Sequence, residues 1–142
     1  MDPYRTQAAL HKALAHPVRL RILDILARDE ACVCHLTAAL RKPQPYVSQQ
    51  LSLLREAGLV ADRREGALIY YRLADEHLAR LLEQGKALLL ATHKGLTLPV
   101  IPAYPLKNCP CPRCQSMLLR LPDVPQPQPA GREPSCKQRG QA

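Results

Sequence analysis

Apolar residues along the first ninety positions recur at the spacing of amphipathic helices. A residue on the buried face is followed by another three or four positions later, with polar residues between them. This spacing predicts four helices before residue 58 and, after residue 75, a fifth that is rich in leucine and reaches about Thr92. The apolar positions are Leu10 and Leu14; Val18, Ile22, Ile25 and Leu26; Leu36 and Leu40; Val47, Leu51 and Leu54; and Leu78, Leu81, Leu82, Leu88 and Leu89.

Proline and glycine mark the ends of several of these helices. Asp2-Pro3 and His16-Pro17 each place proline where the first helical residue is expected, and a missing N–H costs nothing there. Pro45 begins the fourth helix in the same way, and Gly58 is a natural left-handed stop after it. The fourth helix is therefore predicted over 45–57.

A β-hairpin is predicted directly after this helix. Two extended runs, Leu59–Asp62 and Leu68–Leu73, flank a basic tip, Arg63-Arg64-Glu65-Gly66, in which Gly66 can adopt a positive φ. A polar-faced helix followed by a basic hairpin is typical of a winged helix-turn-helix. The predicted fold is thus mostly α-helical with a β-hairpin wing, and its predicted function is DNA binding.

The side chains expected to contact DNA follow from this fold. Glutamine can pair bidentately with adenine, serine can bind a base or a phosphate, and arginines in the wing can neutralise phosphates or enter a narrow minor groove. The candidates are Tyr46, Ser48, Gln49, Gln50, Ser52, Arg63 and Arg64.

Charge and composition favour the same class of partner. The 142-residue chain has a net charge of +8, and an excess of lysine and arginine favours nucleic acid. It has no apolar run of the roughly 18 residues that a membrane span needs, and no signal-peptide pattern, so we expect a cytoplasmic protein without a membrane partner. Since no acid–base pair, nucleophile motif or phosphate loop is apparent, we do not expect an enzyme.

The composition changes near residue 96. Ten of the fourteen prolines fall in residues 96–142, where the helical periodicity is lost. We therefore expect a DNA-binding and dimerisation domain over 1–95. A proline-rich, cysteine-containing tail over 96–142 is expected to be largely flexible, with a polyproline II segment at 122–129.

Residues 16–73 resemble the ArsR/SmtB family of bacterial metal-sensing repressors. The matching segments are His-Pro-Val-Arg-Leu-Arg-Ile-Leu (16–23), Cys-Val-Cys-His-Leu (32–36), Val-Ser-Gln-Gln-Leu-Ser-Leu-Leu-Arg-Glu-Ala-Gly-Leu-Val (47–60) and Arg-Arg-Glu-Gly-Ala-Leu-Ile-Tyr-Tyr-Arg-Leu (63–73). Gln50 departs from the family's usual Ser-x-His-Leu. The resemblance implies a homodimer that binds a two-fold symmetric operator on double-stranded DNA and releases it when an inducer binds. It does not extend to the tail.

The fifth helix is the expected dimerisation element. A leucine-rich helix at the edge of a small domain is expected to pair with a copy of itself rather than lie exposed. The residues concerned are Leu78, Leu81, Leu82, Leu88 and Leu89. Whether the first helix joins this interface or only covers the core is left open.

Cys32 and Cys34 are the expected centre of an inducer site. In a reducing cytosol, six cysteines favour metal or redox chemistry over a disulfide framework. Residues two apart in a regular helix lie about 200° apart, so both bind one ion only if the first turn is distorted or not yet helical. Cys-Val-Cys-His-Leu is similar to the metal box of arsenic-, cadmium- and lead-sensing family members. His35 could also donate to the ion, but we expect it to be solvated.

Two thiolates leave a soft ion with too few ligands. Some arsenic sensors of the family have a third cysteine where this chain has Thr37, and no cysteine precedes Cys32 to form the N-terminal arm of a cadmium sensor. The tail can provide the missing thiolates, whereas Cys136 is left out. The predicted metal ligands are Cys32, Cys34, Cys109, Cys111 and Cys114.

The predicted function is therefore a homodimeric repressor that releases operator DNA when a thiophilic ion binds. As(III) or Sb(III) is the first choice of ion, Cd(II) or Pb(II) the second, and Zn(II) is also considered. The alternative is a redox-responsive repressor on the same fold, switched by a thiol–disulfide change. A further family site on the last helix is not expected, because Asp75 and His77 match its first half but Leu88 and Ala91 cannot ligate.

Overall fold

A computed structural model describes residues 1–101 and 104–120 as a winged helix-turn-helix with an additional C-terminal segment. This confirms the predicted fold, and no helix in the described part of the chain is long and apolar enough to cross a membrane. The elements in order are α1 (Pro3–Leu14), α2 (Pro17–Arg28), β1 (Ala31–Cys32), α3 (Val33–Leu40), α4 (Gln44–Glu56), β2 (Val60–Glu65), β3 (Leu68–Leu73), α5 (Glu76–Thr92) and α6 (Pro112–Leu118).

The predicted capping residues stand at the helix ends. Asp2 caps α1 by accepting a hydrogen bond from the Tyr4 N–H at 2.9 Å, and Pro3 is the first residue of that helix. At the end of α4, Gly58 adopts φ +74°, and the N–H of Leu59 reaches back to the Leu54 carbonyl at 2.9 Å. This reversal ends α4 and directs the chain into the wing.

The core lies between the helices and one face of the sheet. The stripes predicted from the sequence on α2, α3 and α4 are all buried in it, so the helix-turn-helix is held by packing rather than by helix propensity. Six large aliphatic side chains of the core are 0% exposed: Ile22, Leu23, Leu36, Val47, Leu51 and Leu54.

The sheet has three antiparallel strands in the order β1-β3-β2. In the hairpin, Arg63 lies opposite Tyr70 and Glu65 opposite Leu68, so the turn is Gly66–Ala67, with Gly66 at φ +60°. The prediction that Arg63 and Arg64 form the hairpin tip is therefore wrong, because both lie within β2. The short strand β1 was not predicted, and it pairs Cys32 with Tyr70.

The described part of the tail packs against this domain. The side chains of Ile101 and Tyr104 contact the core, and α6 follows. Helix α6 begins within the proline-rich tail, because Pro112 occupies its first position, where proline is tolerated. The predicted polyproline II segment 122–129 and Cys136 lie outside the described residues.

The leucines of α5 face two directions. Leu78 and Leu82 are each 8% exposed and pack into the core of the same protomer. Leu81, Leu88 and Leu89 are exposed and line a mostly apolar groove of about 640 Å³, together with residues of α1 and α2. An apolar face of this kind is available for a partner.

Candidate functional site

The exposed face of α4 carries three of the predicted DNA contacts. Gln49 is exposed, and Ser48 and Ser52 are half-buried. Gln50 is instead 6% exposed, and its Oε1 has no hydrogen-bond partner among the described residues. Its burial follows from the helical period, since Gln50 lies beside the core residues Val47, Leu51 and Leu54. Gln50 therefore does not lie on the exposed face of α4, contrary to the expectation, and Tyr46 packs partly against the core.

The two wing arginines differ in their surroundings. Arg63 forms hydrogen-bonded ion pairs with Glu30, at 3.0 and 2.5 Å, and with Glu65 at 2.8 Å. Its guanidinium carbon also lies 4.8 Å from the centre of the Tyr70 ring. The hydrogen bond with Arg63 lowers the pKa of Glu30. Arg63 and Arg64 are both exposed, but these contacts hold Arg63 against the protein.

Cys32 lies at the junction of β1 and α3. It is the residue before the first turn of α3, its backbone is extended (φ −80°, ψ 164°), and its side chain is fully buried. Cys34 is 8% exposed and belongs to the same buried cluster. Of the two arrangements that let both cysteines approach one ion, this is the one in which the first cysteine is not yet helical.

The three tail cysteines pack against Cys32. Cys109, Cys111 and Cys114 are 1%, 0% and 0% exposed, and they form a cluster with Cys32, Cys34 and Tyr70. Interactions among Cys32, Cys109 and Cys111 shift the pKa of each of these thiols. The Cys111 sulfur also accepts a hydrogen bond from the Cys114 N–H at 3.4 Å. We call this group the sulfur cluster.

The protons of the sulfur cluster are unequally held. Hydrogen bonds from Cys109 and then Cys32 lower the pKa of Cys111, which favours its thiolate form. The hydrogen bonds to Cys111 and Cys32, together with burial, raise the pKa of Cys109. The pKa of Cys32 is also raised. Its interaction with Cys109 lowers this pKa, but the interaction with Cys111 and burial together raise it by more. Cys111 is thus the thiol of this cluster whose thiolate form is most favoured.

His35 is buried at the edge of the sulfur cluster, contrary to the expectation that it is solvated. It is 1% exposed, its Nδ1 lies 3.3 Å from the Cys114 sulfur, and its ring stacks on Tyr104 with centroids 3.9 Å apart. Burial lowers the pKa of His35, so the ring is held in the neutral form that can ligate a metal. The covering residue, Tyr104, belongs to the tail.

Polar contacts attach the tail to the segment before β1. The Tyr104 hydroxyl donates to the Glu30 carbonyl at 2.9 Å, and Arg113 donates to the same carbonyl at 3.3 Å. Arg113 also pairs with the Asp29 carboxylate, and its guanidinium lies 4.1 Å from the Tyr104 ring centre. Tyr104 was not predicted to act at the site. Arg113 was not predicted to act there either, because the partners of both residues at Asp29 and Glu30 lie more than seventy positions away.

Asp75 and His77, the half-match to a further metal site, form a helix cap here. Asp75 Oδ1 accepts a hydrogen bond from the His77 N–H at 2.7 Å and also contacts His77 Nδ1 at 2.7 Å. Both residues are exposed at the first turn of α5. Their arrangement is explained by capping of α5.

Comparisons with known proteins agree with this architecture. Residues 16–62 match the family model "Bacterial regulatory protein, arsR family". The chain is 48% identical over 97 residues to the Biofilm growth-associated repressor of Agrobacterium fabrum, covering 68% of this chain and 83% of that protein. It is 47% identical over 72 residues to the Arsenic resistance transcriptional regulator ArsR1 of Pseudomonas putida, covering 50% and 56% of the two proteins.

A solved structure extends the comparison to the fold. The homodimeric winged helix-turn-helix DNA-binding domain Mb0332 from Mycobacterium bovis superposes with a TM-score of 0.59 at 36% identity, covering 66% of this chain and 90% of that chain. Such relatives are DNA-binding regulators and not enzymes. The sequence identity, the shared fold and the match over the helix-turn-helix together show that this chain belongs to the ArsR family of bacterial transcriptional regulators.

Proposed function

We propose that this protein is a homodimeric repressor that binds operator DNA and releases it when a thiophilic ion binds its sulfur cluster. The observation that carries the proposal is the packing of Cys32, just before α3, against the tail cysteines Cys109 and Cys111 in one buried cluster. The thiolate sulfur of cysteine is a soft ligand and prefers soft ions. Two relatives, ArsR1 of Pseudomonas putida and a repressor of Escherichia coli, are named for arsenic or arsenical resistance.

The number of thiols favours As(III) or Sb(III). Trivalent arsenic takes three thiolates in a pyramid, and Cys32, Cys109 and Cys111 place three buried sulfurs in one cluster. Cys34 and Cys114 adjoin them, so a four-sulfur set for Cd(II), Pb(II) or Zn(II) is the second choice. Cys34 is disulfide-bonded in this structure, so it can take part only after reduction, because the thiolate is the ligand.

The position of Cys32 explains how ligation would reach the DNA. Cys32 pairs with Tyr70 of the wing and immediately precedes α3, which leads into α4. Thiolates drawn together by a shared ion would move Cys32 relative to both elements. We infer that α4 and the wing then lose the alignment that operator binding requires.

The surface supports DNA binding as a dimer. Ser48, Gln49 and Ser52 are half-buried or exposed on α4, and Arg64 is exposed in the wing, so these are the side chains proposed to contact DNA. The apolar groove beside α5, which includes Leu81, Leu88 and Leu89, is the proposed dimer interface. A two-fold dimer would present two copies of α4 to adjacent major grooves.

The same contacts would support the redox alternative. Thiols in hydrogen-bond contact, one with a lowered pKa, are suited to disulfide formation by an oxidant. Such a switch would respond to oxidant and would ignore As(III) under reducing, anaerobic conditions. The two functions therefore make opposite predictions for one experiment.

That experiment is an anaerobic titration of the reduced full-length protein bound to an operator selected from a random duplex pool. As(III), Sb(III), Cd(II), Pb(II) and Zn(II) are added separately, while fluorescence anisotropy reports bound DNA and ultraviolet absorption reports thiolate ligation. We expect As(III) or Sb(III) to release the DNA at about one equivalent per site. Release by an oxidant but by none of the ions would support the redox alternative instead.

A further inference from the structure

His35 and two tail cysteines bring three different ligand atoms together at one side of the sulfur cluster. A ring nitrogen of His35 and the sulfurs of Cys109 and Cys114 all lie within 4.8 Å of one another. All three side chains are buried, at 1%, 1% and 0% exposure. A buried imidazole facing two buried thiols is an arrangement that hydrophobic packing alone does not require.

The surroundings of His35 fix its ring. Stacking on Tyr104, with ring centroids 3.9 Å apart and planes inclined by 22°, holds the imidazole plane. Its Nδ1 is directed at the Cys114 sulfur, 3.3 Å away. Cys114 in turn is placed by α6, and the Gln115 side chain donates to the Cys109 carbonyl at 2.8 Å. The three ligand residues are therefore positioned by separate packing and hydrogen-bond contacts.

We propose that His35, Cys109 and Cys114 form a binding site for a borderline divalent cation of the Zn(II) class, with Cys111 as the fourth ligand. Imidazole with thiolates is a ligand set that Zn(II) prefers, and structural zinc sites are closed, four-coordinate and often built on a Cys-x-x-Cys spacing. Cys111 and Cys114 have this spacing, and the Cys111 sulfur contacts the Cys114 N–H at 3.4 Å.

This ligand set differs from the one proposed for arsenic. As(III) is bound by thiolates rather than by imidazole, so its proposed ligands are Cys32, Cys109 and Cys111. The divalent set replaces Cys32 by His35 and Cys114, while Cys109 and Cys111 belong to both. The two ions should therefore compete, and a resident Zn(II) would hold the tail against α3 until a thiophilic ion displaced it. This inference uses the sulfur cluster but does not depend on the response of DNA binding.

The test uses Co(II) as a spectroscopic substitute for Zn(II) in the reduced, full-length protein under anaerobic conditions. We expect intense visible bands of tetrahedral Co(II) and near-ultraviolet sulfur-to-cobalt bands, both removed by one equivalent of Zn(II). His35→Gln should weaken Co(II) binding by about 100-fold or more. Loss of a residue that only supports a metal ligand typically weakens metal affinity by about 10–100-fold, so a larger loss indicates a direct ligand. The matched control is His93→Gln, at an exposed position directly after α5 and outside the apolar groove, which should bind Co(II) like the wild type.

A second variant separates this site from the arsenic site. Cys32→Ser should keep the tetrahedral Co(II) spectrum and lose As(III) affinity, whereas His35→Gln should keep the As(III) stoichiometry. If His35→Gln binds Co(II) with the wild-type spectrum and affinity, the proposal is overturned. If that variant does not fold, the test is instead the NMR resonances of the His35 imidazole in the wild-type protein. They should shift with one equivalent of Zn(II), and unchanged resonances would equally overturn the proposal.

Discussion

The guanidinium of Arg63 in the wing donates hydrogen bonds of 3.0 and 2.5 Å to the carboxylate of Glu30, the residue directly before β1. The carbonyl of the same glutamate accepts hydrogen bonds from Tyr104 and Arg113 of the tail. One residue therefore connects the segment that carries the cysteines to the element proposed to contact DNA. A change in the position of the tail can reach the wing through this connection as well as through Cys32.

The contact predicts that Glu30 restrains DNA binding. In Glu30→Gln, the neutral amide holds Arg63 less strongly, and Arg63 becomes available to a phosphate. The slope of log K against log salt concentration should steepen by about 0.9 for each added phosphate contact. The control is Glu76→Gln, which alters an exposed ion pair on α5 instead. An unchanged salt slope in Glu30→Gln would show that Arg63 stays off the DNA.

The neighbouring residues Gln49 and Gln50 on α4 should have different roles, one in DNA recognition and the other in protein stability. Gln49 is exposed, so Gln49→Ala should reduce discrimination between operator and mismatched duplexes by about 1–3 kcal/mol while leaving protein stability unchanged. Gln50 is buried, and Gln50→Ala should change the free energy of unfolding rather than base preference. Binding to a panel of single-substitution duplexes, together with urea denaturation, measures both effects. Equal base preference in wild type and Gln49→Ala would remove Gln49 from the interface.

The exposed leucines of α5 should hold the dimer. Placing charges in the groove with Leu81→Glu and Leu88→Glu should give monomers that bind the operator weakly, because a buried unpaired carboxylate is costly. Leu119→Glu is the matched control, since Leu119, directly after α6, is 57% exposed and does not line the groove. Sedimentation velocity gives the masses. A stable dimer of the double variant would place the interface elsewhere.

Local sequence signals predicted the helices well. Pro3, Pro17 and Gly58 each limit a helix by a property of one residue, and the apolar stripes of α2 and α4 need only a helical period. These features depend on near neighbours, so one sequence is sufficient to predict them. The winged helix-turn-helix followed from their order.

The contacts that form the candidate site were harder to predict. Strand β1 has two residues and no periodicity, and its existence depends on pairing with Tyr70 and Tyr71 in β3. His35 is polar and follows a cysteine, which indicated solvent, yet Tyr104 covers it from a position 69 residues later. The tail shows no repeating apolar pattern, because its docking uses cysteines, one tyrosine and one arginine. Such long-range contacts leave no local pattern in the sequence.

The central claim is that Cys32 and the tail thiols together sense a thiophilic ion. It is tested most directly by the As(III) concentration that releases operator DNA from the reduced full-length protein, measured by fluorescence anisotropy for the wild type, Cys32→Ser and Cys109→Ser. Ser116→Ala, an exposed change on α6, serves as the control. We predict that all four proteins bind the operator with similar affinity and that only the wild type and Ser116→Ala release it at low As(III). Release of DNA from Cys109→Ser at the wild-type concentration would contradict the account.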